Sequence, residues 1–477
     1  MNTPQVEYSA TRRYAVLVAV GVSSMITTIT ASMVNVALPT LAEEFRADIT
    51  TVQWVALIFF VIVSSLHLTT GRYGDIYGRR GAFAFGCLLF ALASLACGLA
   101  PGLGWLIAAR VVVAIGAALL QSNGTAILVA VFPASQRSRA LGLWFTLAAG
   151  GLALGPPLAG TMIEYLDWRW MFIALTPVAL LSFFLALVSV PPMPGTGEGN
   201  FDYISSILLM GWIVPLVYSI NRGFALGVSP ELLLALLVFV VMAAGFAYRT
   251  ATAPNPLLDL NLFRRRDFSV GVSIGLTGFA CMAAMMLNGP FVLERVMGVP
   301  VFEIGLYMAI YPGVGALLSP TVGVWADRVG AGIPRTLGFA IGALGYTVFA
   351  QLGPETPTIV AAVSLVLIGM GTGLTQTTNN SIIMGSVPRR QLGAASAFIS
   401  ATRTFGFGAG QSAWGGLFAF LVLLQFAGGR AIDAPTELQA QGFAVGFYIA
   451  GLLMLAAAVV SYWNLHKPGA SAAQATG

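Results

Sequence analysis

The chain has 477 residues, of which only 9% are charged and 57% hydrophobic, with a formal net charge of +5. Ordinary soluble domains carry about 25% charged residues, so a water-soluble fold of this size could not cover its surface, and the chain is expected in a lipid bilayer. The basic excess does not indicate nucleic acid, because the arginines lie singly and in pairs between apolar runs.

Cys87 and Cys97 fall in one apolar run and Cys281 in another, which leaves no disulfide framework and no CxxC metal pattern. The two histidines, His67 and His466, cannot supply an HExxH motif or a His/Cys metal cluster. No convergent nucleophile, metal set or carboxylate pair is apparent, so the chain reads as no enzyme, with no metal and no cofactor. Arginine is strongly preferred over lysine, Lys467 being the one lysine, which points to a GC-rich bacterial genome.

A spanning helix needs about 20 mainly apolar residues. Fourteen such runs begin near Tyr14, Thr51, Gly81, Gly104, Ser138, Met171, Ile204, Glu231, Phe268, Glu303, Thr336, Thr358, Leu392 and Gly442. The first is too long for a signal peptide and continues through Asn35 to Pro39 without a small-residue cleavage site. With the N-terminus inside, the inner segments hold most of the arginines, among them Arg12, Arg13, Arg72, Arg79, Arg80, Arg137, Arg139, Arg335, Arg389 and Arg390. The outer loops hold only Arg46, Arg169, Arg222, Arg295 and Arg430. That asymmetry predicts cytoplasmic N- and C-termini.

Between the second and third runs lies "GRYGDIYGRRG", residues 71–81, a charged, glycine-rich turn in a nearly uncharged region. Eight runs later, "GVWADRVGAGIPR", residues 323–335, repeats its spacing: Gly71 matches Gly323, Asp75 matches Asp327 and Gly78 matches Gly330, with Arg79, Arg80 and Arg328 alongside. A six-helix unit duplicated around two inserted helices puts the copy there, and internal repeats of this kind are typical of secondary transporters.

At this point the chain resembles the fourteen-helix drug:proton antiporters of the major facilitator superfamily. The resemblance rests on the 71–81 loop together with "MVNVALPTLAEEF" (33–45), "RVVVAIGAA" (110–118) and "GLALGPPLAG" (151–160). It extends to "WRWMF" (168–172), "PLLDLNLFRRRDFSVG" (256–271) and "RTFGFGAG" (403–410). It implies an all-α polytopic fold: a six-helix bundle over 1–192, a linker with two inserted helices over 193–267, and a second six-helix bundle with a short tail over 268–477. It further implies a multi-pass, monomeric carrier in a bacterial cytoplasmic membrane, exporting amphipathic drugs, antibiotics or metabolites by proton antiport. A facilitator or exchanger of a neutral or anionic metabolite is the alternative.

In that family the 71–81 loop is a conformational latch, with Asp75 capping a helix near residues 390–394 and pairing with an arginine such as Arg79. The motif Gly151, Gly155, Pro156, Gly160 marks export, and its "GPP" is expected to interrupt the helical ladder. Ionisable groups within spans are functional candidates by default. Arg110 is either a structural arginine held by carbonyls or a cavity residue, and Arg403 either snorkels to headgroups or lines the cavity. Where the family commonly has an aspartate in its first helix, this chain has Thr30. Glu294 stands where the family usually has glutamine, and is read either as a proton-coupling carboxylate or as an interfacial charge beside Arg295. Asn35, Gln121, Met285, Asn288 and Asn379 complete the candidate substrate and proton cavity. His67, near the inner end of the second run, is read mainly as a wetted interfacial group.

Overall fold

A computed structural model describes residues 8–133, 136–195, 203–226, 229–252, 260–388, 391–426 and 430–465. Those residues are overwhelmingly helical and include no strand. The helices are α1 Ala10–Glu44, α2 Ile49–Val52, α3 Trp54–Tyr77, α4 Arg79–Gly98 and α5 Leu103–Val131. They continue as α6 Arg137–Tyr165, α7 Trp170–Ile173, α8 Leu175–Ser189, α9 Tyr203–Leu226, α10 Pro230–Thr252 and α11 Arg266–Phe291. A π-helical turn, Val292–Val296, extends α11. The last five are α12 Val301–Val329, α13 Gly332–Phe349, α14 Thr358–Gly385, α15 Leu392–Leu423 and α16 Thr436–Leu465.

Each of the fourteen apolar runs coincides with a helix or a short helix joined to a long one. Among the described residues, twelve spans are long and apolar enough to cross a membrane. Two helices fall short: α9 has its apolar stretch confined to Ile207–Gly223, and α13 has 18 residues with Arg335 inside. In lipid every backbone donor must be satisfied within its own helix, so a bundle of long helices is the form such a sequence can take.

The N-terminal group packs α1 against α6, α3 and α4 against α5, and α4 against α8. The C-terminal group packs α13 against α14 and α16, α12 against α14, and α11 against α15. Small residues allow these approaches: a Cβ on Gly116 of α5 would meet the α4 backbone at Phe90 at 2.9 Å, and one on Gly371 of α14 would meet Gly342 of α13 at 2.8 Å. Such glycine seams replace the hydrophobic driving force that lipid removes. Between the groups, α9 packs on both α3 and α15, while α10 packs on α9. Leu57, Val61, Leu209, Ile213, Val217 and Phe246 form the separate apolar cluster that fixes α9 there.

Both copies of the glycine-rich motif have the same backbone. Gly78 has φ +106° and Gly330 φ +84°, values that side-chain-bearing residues rarely adopt. Gly71 and Gly323, by contrast, lie inside α3 and α12. α6 runs from Arg137 to Tyr165 with Pro156 and Pro157 inside, so the expected interruption is confined to the ladder bonds that these two residues cannot donate. Successive prolines omit only their own N–H donors, and polar or backbone groups nearby tolerate this in membrane helices.

Candidate functional site

The candidate residues separate into four places. The first is the buried core of the N-terminal group. Arg110 on α5 has no exposed surface. Its Nε donates to the Val55 carbonyl of α3 at 2.8 Å, and its Nη1 donates to Thr30 Oγ1 of α1 at 3.0 Å. The guanidinium lies 5.0 Å from the Phe59 ring centroid and 5.9 Å from that of Phe172, within reach of cation–π attraction. Nη2 is buried without a hydrogen-bond partner. Thr30 therefore supplies a neutral oxygen at the position where the resemblance leads one to expect an acid.

The second place is the end of the bundle opposite the chain's termini, where the two groups meet. Arg295, in the π turn, pairs with Glu43 at the end of α1 at 2.6 Å. Gln411 of α15 donates to Asn35 Oδ1 of α1 at 2.9 Å. A Cβ on Gly160 of α6 would meet the Val301 carbonyl of α12 at 2.8 Å, and one on Gly305 of α12 would meet the Pro156 carbonyl of α6 at 2.5 Å. The motif's other glycines face α1: a Cβ on Gly155 would meet Ser32 Oγ and one on Gly151 would meet Thr28 Oγ1. The four motif residues thus form a seam along which α6 approaches both α1 and α12. Glu294 is half-buried here, with Oε2 enclosed and unpartnered. Outside the spans, Arg430 donates two 2.7 Å hydrogen bonds to Asp433. These bonds hold the Asp433 carboxyl below its ordinary value, helped by the nearby charge of Arg295.

The third place is the end that carries the termini. Asp75 and Arg79 form an ion pair across the Gly78 turn, and Arg80 donates to the Leu187 carbonyl at the end of α8. The chain leaving α8 runs against this turn, such that a Cβ on Gly78 would meet the Met193 carbonyl at 2.9 Å. In the second copy Asp327 and Arg328 are exposed and nothing lies within 4 Å of a Cβ on Gly330. Arg389 and Arg390 lie outside the described residues, as do the side chains of residues 392–394, where the expected capping site of Asp75 begins.

The fourth place is a small, partly open pocket of about 20 Å³ inside the C-terminal group. Phe279 and Met282 of α11, Phe339 of α13, and Gln376, Asn379 and Asn380 of α14 line it. Asn379 is fixed from two sides, its Nδ2 donating to the Gly271 carbonyl at 2.9 Å and its Oδ1 accepting from Arg335 Nη1 at 3.4 Å. Arg335 also donates to Ser461 Oγ of α16 at 2.9 Å and is 1% exposed.

The arrangement corrects one expectation: Arg335 was counted among the cytoplasmic charges, yet it is buried in α13. Its position near the start of an apolar run reads as interfacial, and its partners lie far away in sequence. Gln411 was likewise missed, because its value comes from Asn35 on another helix. Of the remaining cavity candidates, Met285 and Asn288 are buried on α11, with Asn288 Oδ1 unpartnered. Gln121 is half-buried on α5. Arg403 of α15 and His67 of α3 are both half-buried. Of the candidates, Thr30 meets Arg110 directly, Asn35 meets Gln411, and Asn379 lines the pocket of the C-terminal group. Among the described residues no cluster of His, Cys, Asp or Glu could hold a metal ion.

Residues 20–411 match the family model described as Major Facilitator Superfamily. The chain belongs to that superfamily. The chain is 27% identical over 413 residues to the riboflavin transporter RibZ of Clostridioides difficile, covering 86% of this chain and 89% of that protein. It is 30% identical over 405 residues to the multidrug resistance protein Stp of Mycobacterium tuberculosis, covering 84% and 75% respectively. In fold it is similar to the solved structure of a bacterial homologue of the human lysosomal transporter Spinster, inward-facing and unoccupied, with TM-score 0.69 and 16% identity over 96% of this chain and 97% of that one. It is a multi-pass bacterial membrane transporter whose relatives include drug-efflux proteins.

Proposed function

We propose that this transporter exports amphipathic organic molecules from the bacterial cytoplasm by alternating access, in exchange for protons. The observation that carries this reading is the distribution of contacts between the two groups. The Glu43–Arg295 pair, the Asn35–Gln411 hydrogen bond and the α6–α12 seam all lie at the end remote from the termini. On the cytoplasmic-termini reading supported by the arginine distribution, that end faces outside, and the molecule is an inward-facing carrier of fourteen crossings. Two units, 1–192 and 268–477, tilt about the crevice between them, with the two inserted helices in the 193–267 segment. It works as a monomer and needs no cofactor beyond the proton gradient.

Glu294 is the proton carrier in this scheme. Its enclosed Oε2 has no donor, and it lies beside Arg295, which joins the groups. A π turn is a frequent site of function within helices. Protonation of Glu294 leaves Arg295 more firmly bound to Glu43, while loss of the proton offers Arg295 a second acceptor. A ligand or proton shifts such an equilibrium only through differential affinity for the two states, and this exchange of partners supplies it. At the other end, the Asp75–Arg79 pair and its counterpart around Asp327 and Arg328 act as latches, with Asp75 moving to the α15 N-terminus when the cytoplasmic side closes. An acid there gains about 0.3–1 kcal/mol from the helix dipole.

One observation favours a second reading. Arg110 is joined to Thr30 and not to an acid, which suits an exchanger of neutral or anionic metabolites without proton coupling. Everted membrane vesicles from a pump-deficient host separate the two. Proton antiport predicts that a protonophore abolishes uptake of the exported compound and that Glu294→Gln removes the response to an imposed pH gradient. Exchange that ignores both treatments would overturn the antiport reading, and absence of uptake for a broad compound panel would overturn export.

A further inference from the structure

The sequence stretches 33–45 and 168–172 meet at the end remote from the termini, where Glu43 and Glu44 stand side by side at the close of α1. Residues one apart on a helix do not share a face, and the two carboxylates take different partners. Glu43 crosses to the C-terminal group and pairs with Arg295 at 2.6 Å. Glu44 stays within the N-terminal group: Trp168 Nε1 donates to its Oε2, and Arg169 Nη2 donates to its Oε1 at 3.0 Å. Both oxygens of Glu44 are thus engaged on its own side of the crevice.

This anchor is itself braced. Trp168 is 2% exposed and meets Phe45 and Phe172 edge-on, with ring centroids 5.9 and 6.2 Å away. The Arg169 guanidinium covers the indole at 4.4 Å from its centroid, a cation–π contact. Asp167 Oδ1 accepts from the Arg169 backbone N–H at 2.8 Å and from its Nη1 at 3.3 Å. The backbone beside the anchor is closed as well. Arg46 N–H donates to the Glu43 carbonyl at 3.1 Å and Ala47 N–H to the Ala42 carbonyl at 3.0 Å, the two bonds of a Schellman turn. Arg46 takes φ +48° there, alone in a positive value among the described residues that bear a side chain. Glycine usually fills that place, and a strained residue persists where surrounding contacts over-determine it. The Glu44 anchor, two residues away, supplies such contacts.

The pair that joins the groups has no bracing of its own. The Glu43 side chain is 60% exposed, and an exposed ion pair contributes little, because ordering two long side chains offsets their attraction. A carboxylate presented from a fixed backbone needs less ordering to meet its partner. Glu43 is in that position because its neighbour is held.

We propose that Glu44 is a positioning residue of the outer gate. Bound to Trp168 and Arg169 whether the gate is open or closed, it fixes the end of α1 so that Glu43 meets Arg295, and it touches neither cargo nor the transported proton. The proposal rests on the alternating-access reading above. Because Cys87, Cys97 and Cys281 are buried, spin labels can be directed in the full-length protein to Leu166→Cys and Glu303→Cys, exposed positions on the two sides of the gate. Glu43→Gln and Glu44→Gln should each raise the long-distance fraction about threefold over the parent protein, and the double variant no further than Glu43→Gln alone, because one residue acts through the other. Trp168→Phe keeps the ring and removes the indole donor, and should raise the fraction about twofold, so the outcome does not depend on one variant folding. Lowered thermal stability with unchanged distances, additive effects in the double variant, or a Glu43→Gln protein that stays closed would overturn the proposal. Uptake by everted vesicles is measured for the same variants. A gate that responds as expected in a protein that moves no compound would leave the positioning role standing and remove the export reading. Uptake that persists in all variants, with their gate distances unchanged, would do the reverse.

Discussion

Arg110 holds three helices together with one side chain, since its two hydrogen bonds reach α1 and α3 from α5. Lysine carries a single ammonium and cannot reproduce a planar fork, and a hydrogen bond to a charged group contributes about 1.5–3 kcal/mol. Arg110→Lys is therefore expected to lower the unfolding temperature of the purified protein, whereas an unchanged midpoint would show that the fork does not join the helices. The two motif glycines allow a sharper comparison. Replacing either by alanine places a side chain at positive φ, at a cost of about 1–2 kcal/mol. Gly330→Ala should cost no more than that, because nothing is near its Cβ, while Gly78→Ala adds a clash with the Met193 carbonyl. Thermal unfolding should rank the two variants in that order. The repeat was legible in the sequence because glycine and aspartate spacing is local. The networks of Arg335 and Gln411 were not, since they join residues 126 and 376 positions apart and leave no local trace.

At the level of elements, the apolar runs located the helices well, because a membrane helix is dictated by a length of hydrocarbon and by backbone satisfaction. What the runs did not disclose is which helices approach each other. The glycine–proline motif read as an interruption of the fifth run; it is also the face along which α6 meets α1 and α12. Gly160→Leu would push a side chain into the Val301 carbonyl and force α6 away from α12. The expected result is a longer distance between spin labels at positions 165 and 302, together with loss of transport. Labels that stayed at their original separation would show that the seam does not hold that end closed. Tyr165 and Phe302 already approach with ring centroids 6.1 Å apart, so any widening should be measurable.

For the whole molecule, closure at one end is a property of the pair of groups and not of either alone. A short bifunctional thiol crosslinker joining Asn35→Cys to Gln411→Cys, at positions whose side chains already meet through a hydrogen bond, should lock the remote end and stop flux. Continued flux in the crosslinked protein would show that this end need not open. Acidification offers a complementary test. The Arg430–Asp433 pair contributes above the ordinary carboxylate pKa of about 3.9, and that contribution is lost only as pH falls through the depressed value of Asp433. At an external pH of about 5 the pair should remain intact, so any pH response of transport there belongs to another group, and Asp433→Asn should leave the response unchanged.

The placement of α9 gives the molecule two unlike sides. Its apolar cluster with Leu57 and Val61 covers the flank where α3 meets α15, while Leu154, Leu158, Leu306 and Leu317 of α6 and α12 stay open to lipid on the other. The bundle is therefore lopsided, with two extra helices shielding its α3–α15 flank from lipid and its α6–α12 flank left bare.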